Sequence, residues 1–217
     1  DNIKLKGLHF HIGSQITDLS AFKGLCIRVN EIQQWFYDHQ IIVDHINVGG
    51  GLGVDYENPD DNIIPDFKSF FEVFGTFLEL RPQQQLHFEL GRAIVAQCGS
   101  LISKVLYIKN GVNTDFAIID AGMTELMRPA LYQAFHKIEN LTSDSSEIKR
   151  YDIVGPICES SDCFAKSLML EKTKRGDLIA IRTTAAYGRV MASQYNLRDL
   201  ASSYYAKTVK ENLVIED

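Results

Sequence analysis

No apolar run in this chain approaches the roughly 20 residues that a membrane-spanning helix needs, and nothing at its N-terminus looks like a targeting peptide. An excess of basic residues is also lacking: 22 Lys and Arg face 28 Asp and Glu, a net charge of -6. A non-specific nucleic-acid binder uses a basic face to displace phosphate counterions, so this balance argues against that class and for a small-molecule protein. Paired C-x-x-C spacing is absent. Cys26, Cys98, Cys158 and Cys163 therefore read as free thiols of a reducing cytoplasm rather than as a disulfide framework. There is no internal repeat, no low-complexity tract and no initiator Met. The chain opens Asp1-Asn-Ile-Lys-Leu-Lys and runs almost at once into a strand-like segment, which is expected of a portion from the middle of a gene. What remains is an ordinary globular mix, 45% hydrophobic and 23% charged over 217 residues, enough for one large domain or two smaller ones.

From residue 1 to about 93 short apolar runs alternate with longer periodic ones, the signature of β/α units. Leu5 to Ile12 reads as a strand. Phe22, Leu25, Val29, Ile32 and Phe36 follow at three-and-four spacing, which lays one apolar stripe along a helix. Ile41 to Val48 is the next strand, Phe67 to Leu78 a second amphipathic helix with Pro65 near its start, and Leu86 to Leu90 a third strand. Three strands cannot close a barrel of eight, so a barrel here would be represented by its second half. Beyond residue 93 the texture changes. Ile94 to Ile108, Asp115 to Asp120, Tyr151 to Val154 and Asp177 to Arg182 read as strands separated by turns at Asn110-Gly111 and Arg175-Gly-Asp177, and Leu141 to Lys149 as a polar surface loop or mobile insertion. The expected organisation is α/β in residues 1–93 followed by a mostly β domain in residues 94–217.

Several short strings carry chemistry. Gly49, Gly50, Gly51 and Gly53 follow a strand and precede a helix, where backbone N–H groups can converge on an anion such as a phosphate; a sharp turn without ligand is the alternative. The string matches neither G-x-G-x-x-G nor the Walker pattern, which counts against dinucleotides and nucleoside triphosphates. His9 and His11, two apart on a strand, face the same way and could form a metal-ligand pair, but His45 and His87 complete the set poorly. Glu89 ends an apolar strand at what would be the functional face of a barrel. A protonated pyridine nitrogen would satisfy its carboxylate; a structural salt bridge, for instance to Arg92, is the plainer alternative. Taken alone, Cys158-Glu159 reads as an ordinary surface turn.

Six strings occur together in one order: His9-Phe-His-Ile-Gly-Ser-Gln15, Asn47-Val-Gly-Gly-Gly-Leu-Gly53, Glu89-Leu-Gly-Arg92, Arg128-Pro-Ala-Leu-Tyr132, Cys158-Glu-Ser160 and Ala185-Ala-Tyr-Gly188. The set resembles the diaminopimelate decarboxylases, fold type III pyridoxal-phosphate enzymes, over nearly the whole chain. The resemblance implies the C-terminal half of an alanine-racemase-like (β/α)8 barrel followed by a β domain, and pyridoxal 5'-phosphate as cofactor without a metal. It implies decarboxylation of meso-2,6-diaminopimelate to L-lysine and carbon dioxide, the last step of lysine biosynthesis, in a cytoplasmic homodimer with shared active sites. His11 would stack on the cofactor ring and belong to the catalytic set. Ser14, Gly50, Gly51, Gly91, Arg92 and Tyr187 would hold the cofactor with Glu89 on the ring nitrogen. Arg92, Arg128 and Tyr132 would bind the substrate's distal carboxylate and Glu159 its ammonium, with Tyr187 beside them. The substrate carries an amino-acid group at each end, so its far end needs both kinds of partner, whereas an ornithine-type substrate offers the ammonium only. Cys158 and Glu159 would reach across the dimer into the partner's site, with Cys158 helping to return a proton.

The family's usual string at Glu89 is Glu-Pro-Gly-Arg. Leu90 stands here for the proline, which alters loop stiffness and leaves the ligands in place. The family's cofactor-bearing lysine lies in the first barrel strand within a Tyr-Ala-x-Lys-like motif, and no lysine of this chain has that context, so the polypeptide alone is expected to be catalytically incomplete. Three rivals follow from the same residues: a sister decarboxylase for ornithine, arginine or a carboxylated polyamine, a non-catalytic homologue that binds a decarboxylase, and a zinc hydrolase built on His9 and His11.

Overall fold

A computed structural model describes residues 2–206 together with the backbone of residues 214–216; residues 1, 207–213 and 217 of the two expected domains lie outside the described residues. The chain divides into two compact units, residues 1–97 and 98–217.

Unit 1 is built on three short strands, β1 (Gly7–His9), β2 (His45–Asn47) and β3 (Gln85–His87), joined through helices α1 (Ser20–Asp38) and α2 (Phe67–Phe77). All three strands run parallel, in the order β1-β2-β3, with His9, Asn47 and His87 side by side. The expected helices form where the apolar spacing placed them. Phe22, Leu25 and Val29 bury one face of α1, while α2 starts at the Asp66 side chain, which accepts the Ser69 N–H, and buries Phe70 and Phe74. The strands are shorter than the apolar runs suggested. Ile42 is 80% exposed, because the chain from α1 pairs only from Asp44 and His45, whose N–H groups reach the Lys6 carbonyl.

Alternation along these strands separates two chemistries. Leu8, Ile46 and Leu86 point into the core with both helices. His9, His45, Asn47, Gln85 and His87 occupy the other face, where the His45 and His87 rings meet at 2.9 Å between Nδ1 and Nε2. The core itself is aromatic: Phe22 and Phe70 pack edge to face at 4.9 Å, and Phe88 packs on Phe70, Phe71 and Phe74.

The expected strand from Ile94 is the main departure. Gly91–Val95 is a short helix, α3, continued by a 3-10 turn at Ala96–Cys98, so the unit boundary falls after Gln97 rather than after 93. The sequence reading began a strand at Ile94. Helical geometry instead buries Ala93 and Ala96 and leaves Ile94 and Val95 exposed.

Unit 2 begins with β4 (Leu101–Lys109) and β5 (Asp115–Ile119), then α4 (Arg128–Tyr132), β6 (Ile138–Asn140), β7 (Ile148–Val154), β8 (Cys163–Glu171) and β9 (Leu178–Ile181). These strands form one mixed sheet in the order β6-β9-β4-β5-β7-β8, parallel only between β5 and β7. The mostly β character agrees with the expectation, although β6 and β8 were not read from the sequence. Val105, Ala117, Ile119, Tyr151, Ile153, Ile179 and Ile181 make its core. The sheet curls so that its two edges approach. Asn140, the last residue of β6, donates to Thr173 just beyond β8 at 3.0 Å. The serine-rich stretch is a tied loop: Asn140 Oδ1 accepts the N–H groups of Thr142 and Ser143, and Ser143 Oγ donates to the Lys172 carbonyl. A separate pair, β10 (Ser203–Tyr205) and β11 (Val214–Glu216), is antiparallel.

Two measurements test this packing. Phe70→Ala removes a ring that is 1% exposed, and is expected to destabilise unit 1 by about 3–5 kcal/mol in urea melts. Glu139 is partly buried, which opposes its ionisation, but hydrogen bonds from Lys137 (2.8 Å) and Arg182 (2.7 Å) outweigh burial and hold its carboxyl below the usual range. Its charge therefore adds stability above the ordinary glutamate pKa of about 4.3, and that stability fades as the pH falls through the lower folded-state value. Glu139→Gln should cost about 1 kcal/mol or less at neutral pH and nothing in strong acid.

Candidate functional site

In unit 1 the loops leaving the C-terminal ends of β1, β2 and β3 are bound to one another. Phe10 N–H donates to the Asn47 carbonyl at 2.8 Å, Val48 N–H to His87 at 3.0 Å and Glu89 N–H to Gly49 at 2.7 Å, so pairing runs past the strands into the loops. Ile16 N–H reaches the Gly51 carbonyl, and the Gln15 side chain pairs with both backbone groups of Val54 as a short strand would. The glycine string makes this approach possible. Gly49 and Gly51 sit at φ 70° and 106°, and a Cβ there would run into the carbonyls of Phe10 and Gly13. At Gly50 the Glu89 carbonyl occupies the same space.

Glu89 ends up at the mouth of these loops. One carboxylate oxygen accepts from Asn47 Nδ2 at 2.9 Å and the other lies 3.4 Å from His9 Nε2, while the side chain stays about half exposed. Arg92, one turn further on, donates to Ser14 Oγ at 2.8 Å and to the Tyr56 hydroxyl at 2.6 Å. A Cβ on Gly49 would lie 3.0 Å from His11 Nδ1, so His11 borders the same loops. Glu89, the glycine string, His11, Ser14 and Arg92 are thus gathered at one end of one sheet. Lys6 lies at the other end of β1 and pairs with Asp44 at 3.3 Å.

The donor set suits pyridoxal phosphate. A carboxylate anchored by an amide and an imidazole retains lone pairs for a pyridinium N–H. A guanidinium with two hydroxyls beside a glycine-rich loop suits a phosphate. A Cβ on Gly91 would meet nothing within 4 Å, which leaves open space beside Glu89 and Arg92.

In unit 2 the sequence motifs fall on segments that follow β5, β7 and β9. Because β5 and β7 are parallel, and β9 and β5 are both antiparallel to β4, all three segments leave the same end of the sheet. The first is closed by Glu125, whose Oε2 accepts from Gly122 N–H and from the Thr124 hydroxyl, and it leads into α4 with Pro129 in the first turn. Arg128 is 7% exposed and donates to His136 Nε2 at 3.0 Å, while His136 Nδ1 faces the Arg182 carbonyl at 2.9 Å. A guanidinium only donates and a carbonyl only accepts, so in this arrangement His136 is neutral with its proton on Nδ1. Tyr132 ends the helix and is 63% exposed.

The second segment carries Cys158 and Glu159, both exposed, and is tied to the first by Asp162. This buried carboxylate accepts from Met123 N–H and from Ile157 N–H, each at 2.7 Å. Burial pushes the Asp162 carboxyl above its usual range; the two N–H groups pull it back, Glu125 adds to the rise and Arg198 opposes it. The third segment carries Tyr187, at φ 61°, a left-handed conformation costly for an aromatic residue. Further on, Ser193 N–H donates to Thr124, Arg198 to the Asp120 carbonyl, and the Tyr195 hydroxyl to Glu159 Oε1 at 2.6 Å.

Asn47, Tyr56, Gln15, His136, Asp162 and Tyr195 carry no site role in the sequence reading, and His9 only that of a metal-ligand candidate, yet they hold the candidate site residues. Asn47 alone had a legible signal, since it directly precedes the glycine string and faces the strand that ends in Glu89. The others depend on contacts made only in the folded chain, most of them between residues far apart in sequence. Of the histidines, His45 and His87, which the sequence reading took as a poor completion of a metal set, meet each other. Among the described residues no group of three or more His, Cys, Asp or Glu side chains could hold a metal ion, which removes support from the zinc-hydrolase rival.

The chain belongs to the pyridoxal-dependent decarboxylase family: residues 18–185 match the family model described as pyridoxal-dependent decarboxylase, C-terminal sheet domain. Within that family it is 61% identical over 203 residues to the diaminopimelate decarboxylase of Bacteroides thetaiotaomicron, which covers 94% of this chain and 52% of the relative. It is 41% identical to the diaminopimelate decarboxylase of Vibrio cholerae over 91% of this chain and 46% of the relative. Among solved structures, diaminopimelate decarboxylase of Helicobacter pylori complexed with L-lysine matches 97% of this chain and 50% of its own at 37% identity and a TM-score of 0.81. The enzyme of M. jannaschii in co-complex with L-lysine matches 99% and 49% at 33% identity and a TM-score of 0.86. The chain therefore spans about half the length of the curated relatives it matches.

The thiols offer a direct probe of this arrangement. Cys26 is fully buried, and burial pushes its thiol up to about 11, whereas Cys98 and Cys158 are exposed. At mildly alkaline pH, iodoacetamide is expected to label Cys98 and Cys158 in the folded chain and to reach Cys26 only after denaturant is added, as read by peptide mass mapping.

Proposed function

We propose that this chain is the C-terminal portion of a diaminopimelate decarboxylase, acting on meso-diaminopimelate to release carbon dioxide and L-lysine in the cytoplasm as a homodimer. In this reading unit 1 is the second half of a (β/α)8 barrel. Its unpaired edge strands β1 and β3 and its histidine-rich polar face suit further strands on either side. The observation that carries the proposal is the grouping of Glu89, the glycine string, His11, Ser14 and Arg92 at the ends of three parallel strands, in a chain 61% identical to a diaminopimelate decarboxylase.

Glu89 would accept the ring N–H of pyridoxal phosphate, with Asn47 and His9 keeping the carboxylate aimed. Ser14, Gly50, Gly51, Gly91, Arg92 and Tyr187 would hold its phosphate end, and His11 would cover the ring. When bound, the cofactor supplies an electron sink for the pair left behind as carbon dioxide departs. The chain's other groups select the substrate. Arg92, Arg128 and Tyr132 would bind the distal carboxylate, with His136 holding the Arg128 guanidinium in place. Glu159 would accept the distal ammonium, with Tyr187 alongside. Cys158 would offer its thiol proton to the reacting carbon, and Cys158 and Glu159 would serve the partner subunit's site. The cofactor-bearing lysine would come from the half of the protein not represented in these 217 residues.

The test is turnover by the full-length protein. It should convert meso-diaminopimelate and leave L-ornithine untouched, and Glu89→Gln should lower kcat by about a hundredfold or more as the ring loses its ionic partner. The 217-residue chain supplied with pyridoxal phosphate should release no carbon dioxide. Preference for ornithine by the full-length protein would instead point to a sister decarboxylase, and no turnover of either to a non-catalytic homologue.

A further inference from the structure

We infer that Tyr195 is a positioning residue that fixes the Glu159 carboxylate for the distal ammonium of the substrate, and so sets part of the enzyme's preference for a substrate with an amino-acid group at its far end. This rests on the role proposed above for Glu159.

The contact joins residues 36 positions apart on two different segments, with the phenol donating to Glu159 Oε1 at 2.6 Å. Glu159 is exposed and Tyr195 is 49% exposed, so packing does not account for their meeting. An exposed glutamate otherwise samples several rotamers, and a ligand that binds it must order them first. A phenol is a suitable restraint. It spends its one donor on a single oxygen and leaves the second oxygen and further lone pairs for an ammonium. It is also neutral, so unlike a lysine or arginine it does not cancel the charge the ammonium is to meet. The same hydrogen bond and the charge of Glu159 raise the Tyr195 pKa above its usual value, which keeps the phenol a donor.

The segment that presents Tyr195 is itself held in place. Ser193 N–H is bonded to the Thr124 carbonyl on one side, and Arg198 reaches the Asp120 carbonyl and Glu125 on the other. Between these anchors Asn196 and Leu197 both lie at φ 57°. Leu197 is 98% exposed, so no burial repays its left-handed backbone. Strain kept without packing marks a turn shaped by what it presents, here the phenol.

The experiment compares Tyr195→Phe, Glu159→Gln and the double variant in the full-length enzyme. Three readings are taken: steady-state kinetics on meso-diaminopimelate, calorimetric binding of L-lysine, and melting temperature. Tyr195→Phe should raise KM and weaken L-lysine binding by about tenfold, leave kcat within about twofold, and leave the melting temperature unchanged. The double variant should be no worse than Glu159→Gln alone. If Glu159→Gln raises KM while Tyr195→Phe leaves KM and L-lysine binding unchanged, Tyr195 has no positioning role and the reading of Glu159 stands. Additive losses in the double variant, or a Tyr195→Phe effect confined to kcat, would also overturn the inference. If Glu159→Gln itself changes neither KM nor binding, the role of Glu159 fails and this inference fails with it.

Discussion

The parallel register of three short strands is the constraint on which unit 1 depends. With His9, Asn47 and His87 level across the sheet, the next residues of each chain enter loops that hydrogen-bond to their neighbours. The Glu89 carboxylate then lands between an amide from β2 and an imidazole from β1. A shift of one residue in β3 would turn Glu89 toward the helices and bring Phe88 out onto the polar face, costing the aromatic core and the carboxylate's partners together. Core and site are thus opposite faces of one arrangement: the phenylalanines that seat the helices also hold the strands that aim the polar groups.

Glycine has a double role in that arrangement. The loop after β2 passes so close to the loops after β1 and β3 that side chains at Gly49, Gly50 and Gly51 would strike backbone. Read from sequence, the string offers two alternatives, an anion cradle and a sharp turn. The packing shows that close approach by itself already requires glycine at these positions. The cation and hydroxyls expected of a phosphate site come from elsewhere, in the contact of Arg92 with Ser14 and Tyr56.

Unit 2 solves a comparable problem with different means. Of its exposed groups, Tyr132 ends the short helix α4 while Cys158, Glu159 and Tyr187 sit on irregular segments, and such segments need ties to keep a geometry. Buried polar groups supply them. Asp162 links the turn before Cys158 to the turn before α4, His136 receives the Arg128 guanidinium, and Glu125 with Arg198 closes the base. A buried carboxylate whose pKa is raised by its own desolvation is a costly fastener. Its value lies in linking two loops through backbone N–H groups, which apolar side chains cannot do.

Much of this protein was legible in its sequence, for physical reasons tied to local pattern. Helical spacing of Phe22, Leu25 and Val29 and of Phe70 and Phe74 marked both long helices, because burial of one face repeats every three or four residues. The order of the short motifs was enough to indicate the decarboxylase family, and the strand-like texture of the later segments marked a mostly β second part. Tertiary structure alone decided what depends on distant neighbours. Ile94-Val95 became helical because burying Ala93 and Ala96 outweighed β propensity, and β6 and β8 formed because partner strands were there to receive them. The groups that hold the candidate site residues, from Tyr56 and Asn47 to Asp162 and Tyr195, are defined by hydrogen bonds across 30 residues or more, a separation over which sequence pattern carries no geometric information.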